Sequence, residues 1–137
     1  MEGLLSENRG YAVYNGFTVF DFFDRQNIKA VSLANNHVKD ISKNYEYTIK
    51  ELENQGIQHL AVGKSEDEAR RLAALTKNSN KYTVLGFGRK GVGCRKNKNT
   101  DIYINLLEKK NIVQCIRNTK NQYPDYRIIC FFIGIMN

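Results

Sequence analysis

An α/β fold of alternating helices and mainly parallel strands is the class this sequence predicts, and three observations point to it. Apolar runs of strand length recur at residues 28–34, 57–62, 82–87 and 126–135, and each is separated from the next by a stretch with helical spacing. Parallel strands need crossover connections, which helices ordinarily supply. The chain has 137 residues and is 42% hydrophobic, with 8 Tyr and 7 Phe, which suits one core and a single domain over 1–137. One proline, no internal repeat and no low-complexity tract leave nothing that reads as a linker.

TVFDFFDRQN, residues 18–27, sets Val19, Phe20 and Phe23, and less regularly Phe22, on one broad apolar side, predicting a short amphipathic helix. IKAVSLA follows as a strand without polar alternation, the pattern of a strand covered on both faces. Ser42 is a suitable N-cap, with Glu46 near the first turn, for a helix running to about Gln55. Tyr45, Ile49 and Leu52 would point inward and Gly56 would stop it. IQHLAV is the second strand, ending at Gly63. Ser65 with Glu68 three positions later forms a capping-box pattern, and the helix it opens is expected to continue through ARRLAAL. YTVLGF, residues 82–87, is the third strand. A helix over roughly Ile102 to Asn121 follows, and Pro124 separates it from YRIICFFIGI, expected to be a buried strand.

The formal charge of +7 and the pI near 9.4 favour anionic partners. Arg89, Lys90, Arg95, Lys96 and Lys98 crowd one glycine-rich segment, whereas Glu66, Asp67 and Glu68 form an acidic run. Cys94, Cys115 and Cys130 are far apart and lack Cys-x-x-Cys or Cys/His zinc spacing, so free thiols in a reducing compartment are expected. MEGLLSENRG has no basic n-region followed by an apolar core, and no stretch is long enough to cross a bilayer, so the chain as given reads as cytoplasmic.

Chemistry concentrates in SLANNHVKD, residues 32–40. Asn35, Asn36 and His37 stand at the carboxyl end of a predicted strand, where open α/β sheets place ligands. An Asn carbonyl oxygen can coordinate a divalent metal, and an imidazole can donate a proton or act as ligand; Asp40 could hold its tautomer. On spacing alone the plainer reading is slightly favoured: the amides cap the loop before the Ser42 helix and His37 is an ordinary surface histidine. GFGRKG, residues 86–91, formally matches Gly-x-Gly-x-x-Gly after a strand, but RKNKNTD intervenes before the next helix and no acidic partner follows at dinucleotide spacing. A basic loop that contacts phosphate or a polyanion fits better. Aromatic residues are dispersed rather than interleaved with these cations, which argues against nucleic acid. SEDEAR reads as helix initiation rather than an acid/base pair, and His59 as a core-edge or surface histidine.

VSLANNHVKD, a helix, and then NQGIQHLAVGKSEDEAR resemble the signature region of the bacterial capsule-synthesis CapA family, the poly-γ-glutamate capsule proteins related to calcineurin-like metallophosphoesterases. The resemblance rests on Ser32 to His37, Asp40, Gly56, Ile57, Gly63 and Glu68 to Arg70, and covers roughly residues 28–88. It implies a fragment of a metallophosphoesterase-like sandwich. It also implies divalent metal ions, with Asn36 as a metal ligand, His37 as the group that contacts substrate and protonates a leaving group, and Asn35 in the place of a glycine.

Several family motifs have no counterpart here. The upstream Gly-Asp strand is absent, Glu2-Gly3 resembles the end of an Asn-Leu-Glu motif, and Ile133-Gly134-Ile135 stands where His-Trp-Gly-x-Glu is expected. The expectation is therefore a truncated or degenerate copy acting on an anionic polymer or phosphoester, with cell-envelope association for full-length relatives. The alternative is a non-catalytic module that binds an anionic polymer or phosphate through Arg89, Lys90, Arg95 and Lys96.

Overall fold

The computed structural model describes residues 18–34, 45–89 and 102–133. Helix α1 (Thr18–Arg25) is terminated by Asn27, whose φ of 53° lets the Ile28 amide donate to the Phe23 carbonyl at 2.8 Å and the Asn27 amide to Asp24 at 2.9 Å. This is the Schellman closure, and it turns the chain directly into β1 (Ala30–Ser32). Helix α2 (Tyr45–Asn54) ends the same way at Gly56, φ 66°, with Ile57 donating to Leu52, and feeds β2 (Gln58–Leu60). β1 and β2 pair in parallel, Ala30 opposite Gln58 and Ser32 opposite Leu60. The expected helix–strand alternation thus holds over this first half, and Gly56 performs the stop expected of it.

Beyond Leu60 the topology becomes mixed. Ala61 takes φ 72° and breaks the expected single strand into β2 and a short β3 (Val62–Gly63), which pairs antiparallel with β6 (Tyr103–Ile104). Helix α3 (Glu66–Ala69) is a single turn, so the helix expected through ARRLAAL is corrected: Ala73–Lys77 is strand β4. It forms a hairpin with β5 (Asn80–Gly88), with Asn78 and Ser79 at positive φ (49° and 64°), the paired left-handed conformation of a tight two-residue hairpin turn. The helix expected from Ile102 starts later, as α4 (Lys109–Gln122), because residues 103–104 are taken by β6. β7 (Arg127–Ile133) pairs in parallel with β5, giving the order β4-β5-β7.

β5 organises the packing, and its two faces meet different neighbours. Val84 joins Leu60 and Ala73 in one buried cluster, bordered by Ala30 and Leu75. Leu85 and Phe87, on the opposite face, pack with Cys115 of α4, bordered by Ile112, Ile116, Ile128 and Cys130. Gln58 ties β2 to β4, donating to the Ala74 carbonyl and accepting from its amide, both at 3.1 Å. The last strand departs from expectation: β7 leaves Ile129, Phe131 and Phe132 exposed rather than buried.

Candidate functional site

Parallel pairing aligns the carboxyl ends of β1 and β2, and the Leu33 amide continues the ladder by donating to the Leu60 carbonyl at 3.1 Å. The chain then reaches Ala34, which is wholly buried with Tyr45, Ala61, Val62 and Ile102. Residues Ala34 and Tyr45 bracket the segment 35–44, so both of its stems are anchored in one cluster. Asn35, Asn36, His37 and Asp40 lie outside the described residues. Burial, and secondarily the charge of Glu68, push the Tyr45 phenol up to about 12, so at neutral pH it can donate a proton in a hydrogen bond but cannot act as a base.

The end of β5 arrives at the same place. A Cβ on Gly86 would stand 2.7 Å from Leu60 Cδ1, 2.8 Å from Ala61 Cβ and 3.0 Å from Ser32 Oγ, so only glycine lets β5 lie this close to the ends of β1 and β2. The first glycine of GFGRKG is therefore a packing residue. Three positions later Arg89 leaves β5, its amide donating to the Ile133 carbonyl at 3.0 Å. Lys90, Arg95 and Lys96 lie outside the described residues. The polar segment after Ala34 and the basic segment after Arg89 thus depart from one end of the molecule.

Two residues at this end have roles that the sequence reading did not assign. Ser32 Oγ is buried without a hydrogen-bond partner; the available signal was a lone hydroxyl in an apolar strand. Asn105 is 2% exposed and acts as a stitch. Its Nδ2 donates to the Gly86 carbonyl at 2.8 Å, its amide donates to Ala61 at 2.9 Å, and its carbonyl accepts from the Gly88 amide at 2.9 Å. Asn111 Nδ2 donates to Asn105 Oδ1 at 2.7 Å, and Arg70 Nε donates to Asn111 Oδ1 at 3.0 Å. The contacts hold the kink at Ala61 against the end of β5.

Other signature residues have structural work. Glu68 accepts from the Lys64 amide at 2.8 Å while its own amide donates to Ser65 Oγ at 3.1 Å, the N-terminal closure that SEDE predicted. A Cβ on Gly63 would fall 2.3 Å from Glu68 Cβ and 2.5 Å from the Ala69 nitrogen, so α3 can sit there only over a glycine. His59 is a core-edge residue: its side chain is 9% exposed, Nε2 stands 3.9 Å from Glu53 Oε1, and Nδ1 is buried without a partner. Burial lowers its pKa, so the ring is neutral at pH 7.

Among the described residues no group of three or more His, Cys, Asp or Glu could hold a metal. The metal-ligating candidates of the sequence, Asn36, His37 and Asp40, offer an amide oxygen, an imidazole and a carboxylate and lie outside the described residues. Their donor chemistry suits a divalent ion, but they are fewer than a two-metal site requires.

The sequence of this chain matches the family described as Bacterial capsule synthesis protein PGA_cap over residues 6–136. The chain belongs to that family. A comparison with curated proteins gave no match. Membership in PGA_cap accords with the CapA resemblance and extends it from residues 28–88 to nearly the whole chain. No helix among the described residues is long and apolar enough to cross a membrane.

Proposed function

We propose that this PGA_cap chain is a capsule-biosynthesis domain of metallophosphoesterase-like architecture whose chemistry sits at the shared carboxyl ends of β1, β2 and β5. The observation that carries the reading is the close approach of Gly86 to Ser32 and Leu60, which brings the stems of the two candidate segments to one end. The packing of β5 between the β1–β2 pair on one face and α4 on the other supports the sandwich part of the reading. In this reading Asn36 contributes a metal ligand, His37 protonates a leaving oxygen and Asp40 orients its ring. Arg89, Lys90, Arg95 and Lys96 neutralise an anionic polymer or phosphoester, to which the Asn35 amide donates a hydrogen bond. A divalent metal, when bound, would supply charge neutralisation and an activated water.

The test is equilibrium dialysis against manganese, zinc and iron, with metal content measured by mass spectrometry, beside hydrolysis of p-nitrophenyl phosphate. Stoichiometric metal that is lost in Asn36→Ala, and hydrolysis that is lost in His37→Ala, are expected. No bound metal, together with hydrolysis unchanged in His37→Ala, would sink the catalytic reading.

A second reading, a non-catalytic module for an anionic polymer, is favoured by the net charge of +7 and by Arg89 standing at this same end. It predicts binding that chelator leaves intact and that falls with salt and with neutralisation of Arg95, Lys96 and Lys98.

A further inference from the structure

Among the described residues, β7 is a sheet edge without the devices that normally protect one. Among the described residues it pairs with β5 along its whole length, from Arg127 opposite Tyr82 to Ile133 opposite Gly88, and no strand pairs with its other side. Soluble proteins blunt such edges with lysine, proline, a bulge or a covering element, since the unpaired N–H and C=O groups template further strands. RIICFFI carries no charge or proline after Arg127. Ile129 and Phe131, which share a face by strand alternation, are 40% and 53% exposed. On the other face Phe132 stacks on Phe87 at 5.7 Å between centroids and is also exposed.

Arg127 begins this edge, and two further cations stand near its start on the other face of the sheet and on α4. Arg127 lies in register with Tyr82, next to Lys81, whose Nζ stands 5.7 Å over the Tyr126 ring. Lys120, near the end of α4, is fixed by donating to the Pro124 carbonyl. Among the described residues none of these three cations is in an ion pair, whereas Lys64, Arg70 and Arg71 each meet a carboxylate. Asp125 is the one acidic residue between 109 and 133.

We propose that the free edge of β7 docks an extended polypeptide segment of a partner protein. That segment is apolar at alternate positions, covering Ile129 and Phe131, and acidic at the end that meets Arg127. Strand addition satisfies the backbone groups and alternate side chains supply specificity. A second copy of this chain is the poorer occupant, because each copy carries +7 and a β7–β7 pair brings no carboxylate to Arg127. A single nucleic-acid strand fits less well, because the Tyr126 face that would stack a base is covered by Lys81.

The probe is a fluorescein-labelled peptide of alternating valine and threonine with paired glutamates at both ends, which serves either strand direction. Anisotropy should report saturable binding that weakens about tenfold in Phe131→Lys and in Ile129→Lys, as for loss of an interface anchor. Arg127→Glu should weaken it about threefold or more, increasingly as salt is lowered. Deuterium exchange should show the outward-facing amides of β7 open in the free protein and protected by peptide. Melting temperatures check that the exposed-site variants are folded. The proposal is overturned by absence of binding at about 1 mM or by binding indifferent to both lysine substitutions. Equal binding of a peptide with lysines replacing the glutamates overturns it as well. So does full amide protection in the free protein, or a concentration-dependent dimer whose formation the same substitutions abolish.

Discussion

Gly86→Ala tests the packing that brings the two candidate segments together. The new methyl would meet Leu60 Cδ1 at 2.7 Å, Ala61 Cβ at 2.8 Å and Ser32 Oγ at 3.0 Å. Unstrained carbon contacts lie at about 3.5–4.0 Å, so two of the three fall short by nearly an ångström. Leu60 is 1% exposed and has little room to move, and Ala61 Cβ is fixed to a backbone at φ 72° that Asn105 holds in place. The cost should therefore lie near the top of the overpacking range, about 2–3 kcal/mol. For a chain of this length that lowers the melting temperature by about 10 °C. Ser32→Ala removes an unpartnered buried hydroxyl and one of the three clashing atoms. Alone it should be neutral or slightly stabilising, and in the Gly86→Ala background it should recover about 1 kcal/mol. Urea unfolding followed by circular dichroism measures both, as a shift in midpoint at constant slope. A Gly86→Ala protein within about 0.5 kcal/mol of wild type, or strict additivity in the double mutant, would refute the close approach.

Asn105→Ala should cost about 2 kcal/mol, because it strips the buried Gly86 carbonyl of its side-chain donor while Asn111 Nδ2 keeps the Leu106 carbonyl; the same unfolding assay reads it. His59 has a folded pKa held below its ordinary value of about 6.5, chiefly by burial, so the unfolded chain takes up the proton first. Its contribution to stability is complete above about pH 6.5 and is lost as pH falls toward the folded pKa. Melting temperatures between about pH 8 and 5 should show that slope, His59→Leu should flatten it, and Glu53→Gln should steepen it by removing the carboxylate that favours the charged ring. Tyr45 behaves in the opposite sense at the alkaline end. With its phenol pushed up to about 12 in the fold, stability should fall as pH rises above about 10, and the difference in phenolate absorbance between wild type and Tyr45→Phe should stay flat to about pH 11.

The first half of the fold was legible because local chemistry and tertiary placement agree there. Gly56 stops α2 in the conformation its position requires, and Ser65 caps α3 through the Glu68 amide. ARRLAAL misled because Ala, Leu and Arg are strong helix formers, yet Asn78 and Ser79 turn the chain so that Ala73–Lys77 is paired by β5. Residues 103–104 form too short a strand to leave a period in the sequence; their pairing with Val62 and Gly63 depends on the kink at Ala61. The exposure of β7 was invisible for a different reason. Apolar composition reports what a strand would bury, whereas burial is decided by whatever else stacks against it.

The candidate site divides along the same line. Gly63 and Glu68, two residues of the CapA-like pattern, and Ser65 beside them close α3 over the end of β3, and each contact is accounted for by packing or capping. Gly86, outside that quoted pattern but inside the matched region, is accounted for by its approach to Ser32 and Leu60. Asn35, Asn36, His37 and Asp40 lie outside the described residues; the proposed hydrolytic chemistry rests on them, whereas the scaffold rests on Gly63, Glu68 and Gly86. The two properties are experimentally separable. Gly86→Ala should damage folding, whereas His37→Ala should leave the unfolding midpoint within about 0.5 kcal/mol of wild type and change hydrolysis alone. If His37→Ala instead unfolds the protein as readily as Gly86→Ala does, the imidazole belongs to the scaffold and the proposed division of labour is wrong.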